Sequence, residues 1–393
     1  MDPERLSTKT GATLAELADG CGIDAAGLEA TVARYNTDAA KGEDPDFHRG
    51  ETLYSRVQGD PDHEPNPAVA PIGPGPYYAV EVVPGSLGTF AGVVTDADGA
   101  GLGADDRPVP GLYAAGNDMN SIMGGAYPSG GITLGPAMTF GFLAAEAIAS
   151  GEGAKREEGN MESDPQEVDL LVLGAGAGGM TAALVAALEG LDVLLVEKTG
   201  QVGGTTSTSG GTTWVPGTHL SEDRARGGRA EFLDAIVGNR GGEDLRTAFL
   251  ASGPAAIAEL EAKTEVKFAA AAAHPDYLDG PGQAYGGRAL GPLAFDGRLL
   301  GADFDRIRPP RREFMGLGGM MVGRAELGAL LSPFASLGNF RTTITMVGRY
   351  GLDRLRYPAR HPADHGKCAG GAAASIACAR PECRCCSMHR QAN

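Results

Sequence analysis

The chain has 393 residues, 42% hydrophobic and 21% charged, which suits a soluble globular protein of two or three domains. Its formal charge of −17 argues against nucleic acid and anionic membrane surfaces as partners. No run of about 18 apolar residues offers a membrane span, and Met1-Asp2-Pro3-Glu4 does not open a signal peptide.

Thr13–Ala39 reads as two helical pieces, with Leu14, Leu17 and Ala18 in the first and Leu28, Val32 and Tyr35 in the second. Lys41–Pro74, rich in Pro and Asp, reads mostly as loop. Tyr77–Val83 and Gly92–Asp96 read as strands. Gly111-Leu112-Tyr113-Ala114-Ala115-Gly116-Asn117 reads as a short buried strand ending in a glycine turn, and Thr133–Ser150 as a buried helix. Gly151–Gln166 has no apolar period and reads as a linker, with Met161 resembling a start codon that has become internal. Val168–Leu173 is predicted to be a mostly buried strand, Met180–Glu189 a helix and Val193–Val196 the next strand. Leu245–Ser252 and Pro254–Thr264 read as two helices divided at Gly253-Pro254, and Lys267–Pro310 as a long loop-rich stretch.

Glycine supplies 61 residues, roughly 16% against an average near 7%. Many cluster where backbone must come close to a ligand. Gly174-Ala175-Gly176-Ala177-Gly178-Gly179 follows a strand and opens a helix, and Glu197 ends the next strand 18 positions after Gly179. This is the dinucleotide fingerprint in its required setting. The first glycine makes the turn, the second admits the pyrophosphate and the third lets helix and strand pack closely. The helix N-terminus offers N–H groups, and the acid takes the ribose hydroxyls. Glu197-Lys198 then leads to Gly203-Gly204-Thr205-Thr206-Ser207-Thr208-Ser209-Gly210-Gly211, where small hydroxyl residues between glycine pairs can wrap a pyrophosphate and a flavin edge.

Joined to the fingerprint, this stretch resembles the fumarate reductase/succinate dehydrogenase flavoprotein class. The 3-ketosteroid Δ1-dehydrogenases are its nearest branch. The resemblance implies an α/β fold with a partial FAD-binding Rossmann-like domain of the glutathione-reductase type, and an incomplete substrate or cap region. It implies FAD as cofactor, held by Gly174, Gly176, Gly178, Gly179, Glu197, Lys198, Gly204, Thr205, Thr206, Gly210 and Gly211. Gly116 and Asn117, after the closing strand, and Thr133 and Leu134, at the helix start by the flavin pyrimidine, complete that set.

Tyr127-Pro128-Ser129-Gly130-Gly131 resembles the tyrosine–glycine site of the ketosteroid enzymes. By that resemblance the Tyr127 hydroxyl and the Gly131 N–H hold the substrate carbonyl oxygen, acidify the α-hydrogen and set up hydride transfer from the β-carbon to flavin N5. Asp276-Tyr277, with Pro281-Gly282 and Gly286-Gly287-Arg288, resembles the loop that brings in a second active-site tyrosine. Tyr277 as a plain surface-loop aromatic is the alternative. No position matches the family's general-base tyrosine. His274 reads as a surface histidine and Trp214 as core packing. A fumarate-reductase-like site needs Arg and His groups to clamp a dicarboxylate, and the Tyr127 loop offers none.

The order of these motifs is unusual. A stretch that resembles the end of such an enzyme precedes one that resembles its beginning. Residues 1–150 are therefore expected to be the C-terminal section of one flavoprotein and 151–167 a linker. Residues 168–360 are expected to be the N-terminal FAD-binding section of a second copy, and 361–393 a frameshifted, disordered tail. Cys368, Cys378, Cys383, Cys385 and Cys386 crowd that tail. Their spacing fits no zinc framework, so no metal is expected. Read one base late from Ala359, the codons can encode a Gly-Thr turn and an apolar helix, the family's own continuation. Only Cys21 lies in the body, which reads as reduced and cytoplasmic.

The reading is thus an FAD-dependent dehydrogenase of a small hydrophobic, steroid-like ketone, with its electron acceptor left open. Weak FAD affinity and no turnover are expected, because the middle of the enzyme is missing. The alternatives are a fumarate-reductase-like flavoprotein and a non-catalytic flavin-binding fragment. Docking of Gly111–Ser150 against Val168–Glu197 within one chain is expected, as in a circular permutant.

Overall fold

The computed structural model describes residues 9–151, 168–225, 228–293, 295, 306–309, 315–316, 320–321 and 324–356. The linker from 152 to 167 and the cysteine-rich tail lie outside them. The chain divides into two units, Met1–Gly88 with Ala273–Asp279, and Thr89–Ala272 with Gly280–Asn393.

In the first unit, β1 (Lys9–Gly11) pairs antiparallel with β2 (Tyr77–Ala79), and α1 (Leu14–Cys21) and α2 (Ala25–Ala39) follow β1. The helix ends are written in the sequence. Thr13 accepts the Glu16 N–H at 3.1 Å, Asp24 caps α2 through Ala26 and Gly27, and Gly22 stops α1 in the left-handed region at φ 68°. The expected loop between Lys41 and Pro74 contains one short helix, α3 (Leu53–Gln58), capped by Thr52. The expected strand at Tyr77–Val83 ends at Ala79, and Gly92–Asp96 makes only isolated bridges through Val93 and Thr95.

In the second unit, β3 (Ala100–Leu102) and β4 (Pro108–Tyr113) form a hairpin. The sequence placed a buried strand at Gly111–Asn117. The strand instead begins earlier and is largely exposed, because β3 is its sole strand partner among the described residues. The glycine turn is where it was expected, at Gly116 with φ 71°. The helix α4 (Leu134–Ala149) is apolar on nearly every side and buried accordingly.

β5 (Leu170–Leu173) and β6 (Val193–Val196) are parallel neighbours in the register Leu170↔Val193, joined by α5 (Ala177–Leu188). β5 is less buried than its apolar run predicts. Val172 is buried under α5, while Leu171 and Leu173 are 52% and 73% exposed on the opposite face. A central helix, α4, lies against α5, so the two stretches of the expected permutant do dock within one chain. A Cβ on Gly141 would sit 2.5 Å from the Gly178 carbonyl oxygen, and one on Gly178 would sit 3.4 Å from the Ala115 carbonyl carbon. Backbone approach this close leaves no room for a Cβ at Gly141.

β7 (Thr213–Trp214), β9 (Ala289–Pro292) and β8 (Phe268–Ala270) form a three-stranded antiparallel sheet, with β8 and β9 inside the stretch expected to be loop-rich. Next to it stand α6 (Gly228–Val237) and α7 (Glu243–Lys263). The predicted break at Gly253-Pro254 does not occur. α7 runs through Pro254, because Leu245, Phe249, Ile257 and Leu260 hold one continuous buried face. That burial outweighs the hydrogen bond and steric fit lost at proline, about 3 kcal/mol in an interior turn. β10 (Met315–Gly316) and β11 (Met320–Met321) form a small antiparallel pair, and α8 (Arg324–Leu331) and α9 (Leu337–Arg356) a helical hairpin. Among the described residues no helix is long and apolar enough to cross a membrane.

Candidate active site

The fingerprint folds as a turn between β5 and α5. Gly174 takes φ 102°, which only glycine adopts without strain, and a Cβ on Gly179 would strike the Gly174 carbonyl. A Cβ on Gly174 or Gly176 would meet nothing within 4 Å, so the outer face of the loop is bare backbone open to a ligand. The following glycine-rich segment lies along this loop. Gly203 N–H donates to the Ala175 carbonyl at 2.8 Å, and Thr206 Oγ1 accepts the Ala177 N–H at 3.2 Å. Thr206 thus takes one of the N–H groups at the start of α5 that sequence reasoning reserved for phosphate. Thr205 and Gly210 are exposed on the same segment, Gly211 is buried with φ 71°, and Lys198 points to solvent.

Glu197 sits just past β6. One carboxylate oxygen accepts the Ala175 N–H at 3.0 Å, and the other accepts the Thr199 N–H and hydroxyl, both at 3.1 Å. Burial pushes the carboxyl upward, but these bonds and the nearby Arg308 charge outweigh it. The net result lies below the ordinary glutamate range. Glu197 therefore braces the phosphate loop, a task sequence spacing did not reveal. The bare loop, the α5 N-terminus and an ionised carboxylate together fit an FAD adenosine diphosphate.

Tyr127, on the loop before α4, is half-buried and packs against the core. Burial raises its phenol above the ordinary value, and a hydrogen bond with Thr133 pulls it partly back. The hydroxyl is consequently a neutral donor at physiological pH. Gly131, with φ 100°, cannot carry a side chain: a Cβ would lie 2.6 Å from the Trp214 nitrogen. Its carbonyl accepts the N–H groups of Trp214, Leu134 and Gly135 at 3.0, 3.1 and 3.0 Å. Among the described residues none accepts a bond from its own N–H. Leu134 and Thr133 stand at the start of α4, Gly116 touches that helix at Ala137, and Asn117 is exposed.

Trp214 is fully buried and stacked on Phe249, with ring centroids 6.1 Å apart, which agrees with core packing. Tyr277 belongs to the first unit. There its ring lies 4.4 Å from that of Tyr54, and His274 meets it edge-on at 5.9 Å. His274 is thus half-buried against an aromatic, and not the surface histidine the sequence suggested. Arg288, from the same motif, is 1% exposed and paired with Asp223 at 2.5 Å in the second unit, a structural ion pair.

A family model described as FAD binding domain matches residues 6–134 and 169–380. The chain belongs to the FAD binding domain family. Within it, this flavoprotein chain is 50% identical over 145 residues to a 3-oxosteroid 1-dehydrogenase of Mycolicibacterium smegmatis, covering 37% of the chain and 26% of that protein. It is 46% identical over 159 residues to a 4-oxocyclohexanecarboxylate 2-dehydrogenase of Sinomonas cyclohexanicum, covering 40% of the chain and 28% of that protein. A crystal structure of a 3-ketosteroid Δ1-dehydrogenase from Sterolibacterium denitrificans, in complex with 1,4-androstadiene-3,17-dione, aligns with a TM-score of 0.47 at 31% identity. That alignment covers 54% of this chain and 38% of the other. The chain therefore spans about a quarter of the length of the curated relatives it matches.

Proposed function

We propose that this chain carries the flavin and carbonyl sites of an FAD-dependent dehydrogenase that desaturates a ketone-activated ring, steroid-like in size and polarity. The observation that supports the reading is that half-buried Tyr127 and Gly131, whose N–H has no acceptor among the described residues, lie on the one loop that leads into α4, the helix packed on α5 and its dinucleotide loop. Two donors on one oxygen polarise a carbonyl and acidify the neighbouring C–H. The amino end of α4 adds partial positive charge where negative charge develops. FAD, when bound, supplies the hydride acceptor. Gly174, Gly176, Gly178, Gly179, Gly204, Thr205, Thr206, Gly210, Gly211, Glu197 and Lys198 hold it in this reading, with Gly116, Asn117, Thr133 and Leu134 at the flavin end. Tyr277 serves as a second substrate-side tyrosine.

The same reading joins a closing section, 1–150, to an opening section, 168–360, of two copies of one enzyme type, working in the cytoplasm on a small hydrophobic ketone. A second reading, flavin binding without turnover, is favoured by the coverage of about a quarter of each relative and by the lack of a sequence match to the family's general-base tyrosine.

Purified protein saturated with FAD is assayed by dye-coupled oxidation of a 3-ketosteroid and of 4-oxocyclohexanecarboxylate. Dye reduction with either ketone supports the dehydrogenase and points to its substrate class. Flavin absorbance without dye reduction refutes turnover and leaves the binding fragment. Protein that takes up no flavin refutes both readings.

A further inference from the structure

Arg308 lies outside every motif singled out in the sequence, yet the backbone fastens it to the dinucleotide site. Val202 N–H donates to the Arg306 carbonyl at 2.7 Å, and Arg308 N–H returns to the Val202 carbonyl at 2.9 Å. Val202 and Ile307 form the parallel bridge between these bonds, and both are buried, at 6% and 1% exposure. One residue further on, Gly203 bonds to Ala175 inside the phosphate loop. The Arg308 position is therefore tied to that loop through two short steps of hydrogen-bonded chain.

Its guanidinium lies close enough to the Glu197 carboxylate to stabilise that charge, and it makes one long hydrogen bond. Nη2 reaches Thr199 Oγ1 at 3.5 Å, a long bond, and Thr199 is the residue that bonds to Glu197. A dinucleotide brings two negative phosphates to this loop, and Glu197 adds a third negative charge nearby. The α5 N-terminus supplies only partial charge, and Thr206 already takes one of its N–H groups. Lys198 faces solvent. An arginine fork at this position matches a phosphate in charge and in donor geometry.

We propose that Arg308 is a cofactor-binding residue whose guanidinium pairs with the phosphate on the adenosine side of FAD. The assignment rests on the flavin reading, and its test separates the two. The full chain is titrated with FAD, ADP and riboflavin. FAD and riboflavin are followed by flavin fluorescence and ADP by calorimetry. Arg308→Met is expected to weaken FAD and ADP about ten- to hundredfold, or ~1.4–2.8 kcal/mol at 1.4 kcal/mol per decade. Riboflavin affinity stays unchanged, and Arg308→Lys recovers part of the loss. The salt dependence of ADP binding flattens in Arg308→Met, since one phosphate contact is gone. Affinities for FAD and ADP within twofold of wild type overturn the assignment, as does an equal loss for riboflavin, which signals general damage. Wild-type protein that binds ADP but not FAD sinks the flavin reading, and the Arg308 assignment then stands or falls on the loss of ADP affinity in Arg308→Met. Wild-type protein that binds neither overturns both.

Discussion

The crossing of α4 over α5 gives the sharpest quantitative expectation. A methyl group on Gly141 would stand 2.5 Å from the Gly178 carbonyl oxygen and 3.3 Å from the Ala182 nitrogen. Both partners are backbone, so no side chain can swing away, and α4 itself must move. Around the crossing, Phe140, Ala145 and Ala183 are fully buried, so movement in any direction disturbs packed atoms. Overpacking of this kind costs about 1–3 kcal/mol. Replacing glycine by alanine within a helix returns roughly 0.5–1 kcal/mol. The net expectation for Gly141→Ala is a loss of up to about 2.5 kcal/mol and centred near 1 kcal/mol, the central value being roughly 2–4 °C at the 2–4 °C per kcal/mol of a domain this size. Gly178 lies in the first turn of α5, so a shifted α4 also disturbs the dinucleotide loop and FAD affinity falls. Thermal unfolding by circular dichroism, paired with FAD titration, measures both. Gly348→Ala serves as the comparator, because a Cβ there meets nothing within 4 Å and the substitution only favours the helix. If Gly141→Ala melts at or above wild type and binds FAD equally well, α4 is not seated on α5 as described.

Three further outcomes are expected. If the proposed dehydrogenase turns over, Tyr127→Phe removes the proposed carbonyl donor and should lower its rate about a hundredfold with the flavin spectrum intact; rates within threefold of wild type would remove Tyr127 from the site. Glu197 has a lowered carboxyl pKa in the folded chain, so its contribution is present above the unfolded glutamate value, near 4.3, and is lost as pH falls through the folded value. The melting-temperature gap between wild type and Glu197→Gln should hold at neutral pH and shrink in acid; a gap that widens in acid contradicts the bracing role. Pro254→Ala restores an N–H inside α7 and should raise the melting temperature, by at least the equivalent of about 1 kcal/mol of the 3 kcal/mol proline penalty; a fall would mean that the ring itself fills space in the core.

What could be read in the sequence was what short-range chemistry encodes. Thr13, Asp24 and Gly22 mark helix ends through bonds to residues two to four positions away, and the observed helices begin and stop there. The Gly174–Glu197 unit was legible for the same reason, since strand, turn, helix and strand are contiguous. Features set by distant partners were not. The apparent break at Gly253-Pro254 is overruled by the buried face from Leu245 to Leu260. The strands β8 and β9 are three and four residues long, and their pairing with each other and with Trp214 has no local signature. Glu197 was read as a ribose acceptor because spacing locates the acid, whereas its bonds to Ala175 and Thr199 depend on how the loop curls. Arg308 carried no signal, since only pairing with Val202 brings it to the site.

Several joins bind the stretch ending at Ser150 to the stretch beginning at Val168, and three of them hold α4 and the loop before it. The α4–α5 crossing is steric fit between glycines. Trp214 N–H to the Gly131 carbonyl, at 3.0 Å, ties β7 to the loop that bears Tyr127. Arg246, 5% exposed, donates to the Ile122 carbonyl at 3.2 Å and to the Gly241 carbonyl at 2.5 Å, linking the first turn of α7 to the same loop. The second and third joins flank Tyr127 in sequence, at Ile122 and at Gly131. The position of the Tyr127 loop is thus set by residues more than eighty positions further along the chain. A polar clamp around an apolar crossing fixes one geometry more tightly than apolar burial alone, because a displaced Arg246 would leave a buried charge without acceptors. The Tyr127 loop and the dinucleotide loop are consequently one mechanical unit, although the sequence separates them by the linker.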